Sequence, residues 1–204
     1  LVIDDETVFL GSANLTETSL RLHDNLVIGC HSKPLSQFLQ QSIETKCELL
    51  IADRQVEVWS LPQKKNEALT RVISSIDMAY ENIKISMFTL TCEKILEALL
   101  KAKNRGVVVE VAIDYYSAKG ASKHATKYLK ENNIIVMEGS PGKLLHHKWC
   151  LIDRECLILG STNWTNAAFS KNDDCLIFIK KPKLAEINLI NEIWQSFKNN
   201  YKKQ

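Results

Sequence analysis

The chain carries one pattern twice, and that repetition narrows its fold more than any other feature. Asp4, Gly11, Ser12, Asn14, Thr16 and Ile28 fall on Asp153, Gly160, Ser161, Asn163, Thr165 and Ile177 at a constant offset of 149 positions, without a gap. A shared spacing of this kind marks a duplicated unit. It predicts two similar units facing each other across a pseudo-two-fold axis, with the repeated residues at their interface.

Between the copies, apolar periodicity switches between strand and helix. Strands are predicted at residues 2–4, 8–11, 25–29, 54–59, 83–88, 107–113 and 134–137. A helix is expected to start at Pro34 and run through Leu35, Phe38, Leu39, Ile43, Cys47 and Leu50, proline being favoured in a first turn. Pro62 marks the entry to a helix with Leu69, Val72, Ile73 and Ile76 on one face, and Glu93 opens another that buries Ile95, Leu96 and Leu99. Asn104-Arg-Gly106 is a good stop for that helix. A short helix is expected near residues 121–131, and a last one near 183–199 with Leu184, Ile187, Ile190, Trp194 and Phe197 inward. Strands alternating with helices of this length predict an α/β fold, two units each with a mixed or parallel sheet flanked by helices. The expected division is 1–53, the C-terminal remnant of a first unit truncated at its N-terminus, and 54–204, a complete second unit.

Composition adds limits. The 204 residues are 45% hydrophobic and 25% charged, ordinary for a globular chain with a sizeable core. No apolar run reaches the roughly 18 residues that read as a membrane span, so a soluble or peripheral protein is expected. Formal net charge is only +2, which gives no broad electrostatic footprint for nucleic acid. Cys30, Cys47, Cys92, Cys150, Cys156 and Cys175 lack C-x-x-C spacing, which argues against a zinc site and for free thiols.

The second copy of the repeat continues upstream into His146 and Lys148, so that it reads H-x-K-x4-D-x6-G-S-x-N. This resembles the signature of the phospholipase D superfamily, whose members cleave phosphodiester bonds. The resemblance implies that the matching His and Lys of the first unit lie four and two positions before Leu1, so that the upstream part of the same chain completes the site. Some members instead carry one motif and pair as homodimers.

The chemistry accounts for these residue types. A phosphodiester repels nucleophiles, so its charge must be neutralised, a nucleophile supplied and the leaving oxygen protonated. Imidazole, with an ordinary pKa of about 6.5, suits both roles near neutral pH. In the family, one histidine attacks to form a phosphohistidine and another protonates the leaving group, with no metal or other cofactor. The resemblance makes His146, Lys148 and Asp153 the motif's catalytic set, with His146 the general acid if the upstream histidine attacks, and Asp153 in a supporting structural role. Lys148 and Asn163 would bind phosphate oxygens beside Ser161, with Ser12 and Asn14 as first-unit counterparts. Gly11, Gly160 and Asp4 would be supporting residues of the same site. Asp174, with neighbouring Asp173 as the alternative, is the candidate to accept the second ring proton of a histidine, and Asp24, with a one-residue shift, is the first-unit counterpart. On a strand, His146 and Lys148 share a face while His147 points away.

His147 is expected to pack or meet solvent, Trp149 and Trp164 to lie in the core, and His23, His31 and His124 to be surface residues. Tyr115 and Tyr116 follow a strand end that could reach the cleft. The expected activity is hydrolysis of a phosphodiester, a phospholipid headgroup first, with peripheral membrane contact. Gly160-Ser-Thr-Asn-Trp-Thr165 also resembles the superfamily's metal-independent endonucleases, which makes nucleic acid the alternative substrate. A non-catalytic scaffold that keeps the fold is the third reading.

Overall fold

Parallel pairing is confined to one end of the larger sheet, and it follows from helical crossovers placed between successive strands. The computed structural model describes residues 1–41, 45–62 and 66–201. Their elements run β1 (Val2–Ile3), β2 (Thr7–Gly11), α1 (Glu17–Leu22), β3 (Val27–His31), α2 (Lys33–Gln41), β4 (Lys46–Ile51), β5 (Arg54–Ser60), α3 (Glu67–Asp77), β6 (Asn82–Met87) and α4 (Glu93–Asn104). They continue with β7 (Val108–Ile113), α5 (Tyr115–Lys119), α6 (Lys123–Glu131), β8 (Ile135–Glu138), β9 (Lys148–Ile152), β10 (Cys156–Gly160), α7 (Asn166–Ser170), β11 (Cys175–Lys180) and α8 (Leu184–Tyr201).

Eight strands form a mixed sheet in the order β4-β5-β11-β10-β9-β6-β7-β8, and β1-β2-β3 form a separate antiparallel sheet. The pairs β6–β7 and β7–β8, each joined through helices, are parallel; a parallel pair requires such a crossover. The central strands are apolar on both faces because both are covered. Ile83, Ile85, Met87, Cys150 and Ile152 pack with α3, α4 and α6, whereas Trp149, Leu151, Leu159 and Ile177 pack with α8, α2 and the small sheet. On that second face Trp194 of α8 meets Trp149 edge-on at 5.7 Å, a geometry that adds about 1 kcal/mol to the area buried.

The two copies of the repeat fold alike to the level of register. Gly11 pairs Val27 and Thr7 pairs His31 in the small sheet, as Gly160 pairs Leu176 and Cys156 pairs Lys180 in the large one. Each pairing repeats at the 149-residue offset. Both glycines are required by close approach: a Cβ on Gly11 would overlap the Leu26 carbonyl oxygen, and one on Gly160 that of Cys175. Thr16 and Thr165 each cap the following short helix, accepting from the N–H of Ser19 and of Ala168.

Three expectations change. The helix begun at Pro34 ends at Gln41, and Cys47 and Leu50 stand instead in β4, paired with β5; Ile43 lies outside the described residues. Cys47 and Leu50 sit at positions that fit a helical repeat as well as a strand, and the neighbouring β5 decides between them. This β4–β5 hairpin crosses residue 53 and puts Lys46–Ile51 at the edge of the large sheet. Leu184 opens α8 with 63% of its surface exposed, while Ile187, Ile190 and Trp194 carry the buried stripe. No helix of the described residues is long and apolar enough to cross a membrane.

Candidate active site

His146 lies in the extended segment that enters β9, and Lys148 is the first residue of that strand. Both are buried, at 8% and 5% exposure. Lys148 Nζ donates to the His146 carbonyl at 3.0 Å and stands 5.3 Å from the Phe88 ring, and the His146 ring lies 5.0 Å from the same ring. The pair therefore shares one side of the strand. His147, between them, points the other way: its Nδ1 is 3.3 Å from Ser86 Oγ and its ring meets Phe197 of α8 edge-on.

Asn25, not Asp24, meets the His146 ring. Its Oδ1 is 2.9 Å from His146 Nδ1 and also accepts from Ser12 Oγ at 3.0 Å. Its Nδ2 donates to the Ser19 carbonyl at 2.7 Å, so the amide can face the imidazole only through its oxygen. Asp24 instead forms an ion pair with Lys143 at 2.8 Å and a bridge to Leu145, and its carbonyl accepts from the His146 N–H. The gap-free offset places Asn25, not Asp24, on Asp174, and that was the signal available in the sequence.

The second unit reproduces this network. Ser161 Oγ donates to Asp174 Oδ1 at 2.7 Å and accepts from the Cys175 N–H at 3.0 Å, as Ser12 Oγ accepts from the Leu26 N–H. Asp174 thus stands where Asn25 stands, with a carboxylate in place of an amide. Asn163 Oδ1 accepts from the Thr89 N–H at 3.2 Å, which leaves its NH2 as the free donor. The Asn14 side chain is exposed, and its backbone N–H donates to Ser19 Oγ.

Asp153 is set apart from this cluster at the far end of β9. Its carboxylate accepts the backbone N–H groups of Tyr80, Glu81 and Asn82 at 2.9, 2.9 and 2.8 Å, tying the β9–β10 turn to the start of β6. With six residues of largely extended chain between them, it lies on the order of 20 Å from His146 along the strand, and its hydrogen bonds anchor the fold. Asp4 occupies the matching turn, with the same positive φ.

His23 was expected at the surface. It lies in the site, its ring 5.8 Å from that of His146, and its buried Nδ1 has no hydrogen-bond partner among the described residues. Trp149 and Trp164 are fully in the core. Tyr115 and Tyr116 begin α5, where Tyr116 Oη accepts from the Gly142 N–H.

Burial sets the protonation of the cluster. It pushes His146 down to about 4, helped by the charges of Lys148, His23 and His147 and opposed by the backbone of Ser12. It lowers His147 to about 4 as well. Lys148 is brought down to about 7 by burial, with Asp174 acting against the shift, and burial raises the Asp174 carboxyl against its bond from Ser161.

These shifts link stability to pH. Above pH 6.5 both histidines are neutral whether the chain is folded or not. As the pH falls toward 4, the unfolded chain takes up protons that the folded chain excludes, so stability drops, by on the order of 3 kcal/mol per histidine at most. Lys148 is charged in both states through most of this window, and Asp174 works weakly the other way. Urea unfolding at pH 7.5 and pH 5 should show the loss, and His147→Gln should remove a large part of it. An equal midpoint at the two pH values would mean that neither imidazole is held neutral.

A family profile described as "Cardiolipin synthase, PLD-like domain" matches residues 72–200. Over 133 residues the chain is 28% identical to a mitochondrial cardiolipin hydrolase of Chlamydomonas reinhardtii, covering 64% of this chain and 59% of that protein. It is 25% identical to a phospholipase D of Rickettsia typhi over 167 residues, 76% of this chain and 81% of the relative. Among solved structures, the phospholipase D family member Nuc from Salmonella typhimurium superposes with a TM-score of 0.64 at 34% identity, covering 72% of this chain and 95% of Nuc. The chain spans about three fifths of the length of the algal cardiolipin hydrolase. With the profile matching well over half of its residues, the chain belongs to the phospholipase D superfamily.

Proposed function

We propose that this chain belongs to a phosphodiesterase that hydrolyses phospholipid headgroups through a covalent phosphohistidine. The observation that carries the proposal is the buried pair of His146 and Lys148, with the imidazole held at Nδ1 by Asn25. Lys148 Nζ and the free NH2 of Asn163 supply positive charge and a donor for the non-bridging oxygens. Ser12 and Ser161 hold Asn25 and Asp174 in place, Gly11 and Gly160 let the strands approach, and Asp153 and Asp4 fix turns. The opposing histidine comes from the chain upstream of Leu1 or from a second copy. In this reading residues 1–53 and 54–204 are the two facing units, the first represented by its C-terminal part and lending Lys46–Ile51 to the sheet of the second.

The choice of lipid rests on the rim of the site. Leu15, Leu20 and Leu22 on and before α1 are 74%, 60% and 67% exposed, and an apolar groove lined by Phe9, Leu10, Ala13, Leu20 and Val27 runs to Ser161. A surface of this kind suits acyl chains, whereas a nucleic acid would need a basic track for successive phosphates. The two relatives named for lipid hydrolysis point the same way.

The test is release of headgroup by the full-length protein from cardiolipin and phosphatidylcholine vesicles, beside cleavage of single-stranded DNA, all in excess chelator. Hydrolysis of either lipid with the DNA left intact supports the reading. DNA cleavage alone moves the substrate to nucleic acid, and turnover of none of the three leaves the scaffold reading.

A further inference from the structure

We propose that His23 is a further substrate-binding residue of the site, a first-unit imidazole that donates a hydrogen bond to an oxygen of the phosphodiester held at His146. The proposal deepens the phosphodiesterase reading and rests on it. The second unit has no such residue, since its matching position holds Asn172.

The two units use this position differently. The Asn172 side chain bonds the Asp174 carboxylate and so belongs to the network around Ser161. In the first unit that network closes without the His23 ring: Asn25 is held by Ser12 Oγ, by the Ser19 carbonyl and, through Nδ2 at 3.4 Å, by the backbone carbonyl of His23. The ring goes elsewhere. His23 stands just past α1 with an extended backbone, and the next residue is fixed to the motif segment. The Asp24 N–H donates to the Leu144 carbonyl and the Asp24 carbonyl accepts from the His146 N–H, both at 2.9 Å. These two bonds run the chain after His23 alongside the entry to β9, and the His23 and His146 rings lie 5.8 Å apart, inclined by 55°.

The ring also has an uncommitted donor. Its Nδ1 is buried and has no partner among the described residues. Buried N–H groups without an acceptor are rare, so the ring in its neutral form carries its proton on Nε2. Such an imidazole donates without a charge of its own, and that suits a place beside His146, because a charge on His23 opposes a proton there. A diester poised for reaction puts phosphorus about 3 Å from a ring nitrogen of His146. A ring centred 5.8 Å from that imidazole then lies within hydrogen-bond reach of the phosphate oxygens. The other donors to those oxygens, Lys148 Nζ and the Asn163 NH2, both come from the second unit, and the Asn14 side chain is exposed. His23 brings a donor from the first.

His23→Ala and His23→Gln in the full-length protein test the contact, since the glutamine amide returns a donor near the place of Nε2. For hydrolysis of bis(4-nitrophenyl) phosphate, His23→Ala should raise KM about tenfold or more, as loss of one hydrogen bond to a charged group does. The turnover number kcat should change far less, and His23→Gln should recover most of the loss. An unchanged KM in the alanine variant would overturn the proposal, and so would an equal loss in both variants, the result of a packing role. Either leaves the phosphodiesterase reading intact, whereas no turnover by the wild type defeats that reading. A second measurement needs no turnover: histidine NMR of the wild type titrated with inorganic phosphate. Ring signals of His23 and His146 moving along one binding curve support the contact. Movement of His146 alone overturns it, and movement of neither removes phosphate from the site and the proposal with it.

Discussion

His146→Asn in the full-length protein is expected to lower phosphodiester hydrolysis about 10⁴-fold or more while leaving the fold in place. The size follows from the role: removal of a nucleophile or its partner acid typically abolishes all but the residual effect of binding and charge stabilisation. Asparagine is the informative replacement because its Nδ2 can still donate toward Asn25 Oδ1, so the contact between the units need not be lost. It also removes a buried imidazole whose protonation is unfavourable, so the variant should lose less stability than wild type on going to pH 5. Steady-state kcat/KM read beside thermal unfolding at both pH values separates the two effects. Retained hydrolysis in a folded variant would remove His146 from the chemistry.

The second large effect concerns stability rather than rate. Asp153→Ala is expected to destabilise the protein by about 3–5 kcal/mol, because three backbone N–H groups lose a charged acceptor at once. Asp153 is itself buried and stands at φ 52, a left-handed conformation that aspartate and asparagine tolerate better than most residues. Asp153→Asn separates the two causes: it keeps the backbone preference and one oxygen, but it presents an NH2 where Tyr80 or its neighbours need an acceptor. A loss of about 2 kcal/mol is expected for it. Urea midpoints for both variants at pH 7.5 measure the effect, and a shift below 1 kcal/mol for alanine would mean that β6 does not depend on this anchor.

Much of the site was legible because its chemistry fixes residue types at set distances along the chain. The glycine before each serine is dictated by a carbonyl that leaves no room for a Cβ, and each serine by a backbone N–H that it must satisfy. Such local demands repeat wherever the unit repeats, which is why Gly11-Ser12 and Gly160-Ser161 stand out. Contacts across the two units leave a weaker trace. Asn25 lies 121 positions from His146, and nothing in either segment alone shows that an amide faces the ring. The 149-residue offset places Asn25 on Asp174, but the amide there replaces the carboxylate of the second unit, so residue type and spacing point to different neighbours. His23 gave still less sign, since its position in the other unit holds Asn172 and its place beside His146 arises only from the way the units meet.

The fold divides in the same manner. Strands with strong apolar runs, such as Val108–Ile113, were readable from composition because burial on both faces leaves little freedom. Lys46–Ile51 was not, because an apolar spacing shared by helix and strand is settled by the partner it finds, here β5. The sequence alone determined the duplicated unit and the family, since covalent spacing and residue type are properties of the chain itself. Only the tertiary structure decided which residue holds His146, that His23 joins it and that Asp153 stands away from it, because burial and hydrogen bonding between distant segments exist only once the chain has folded.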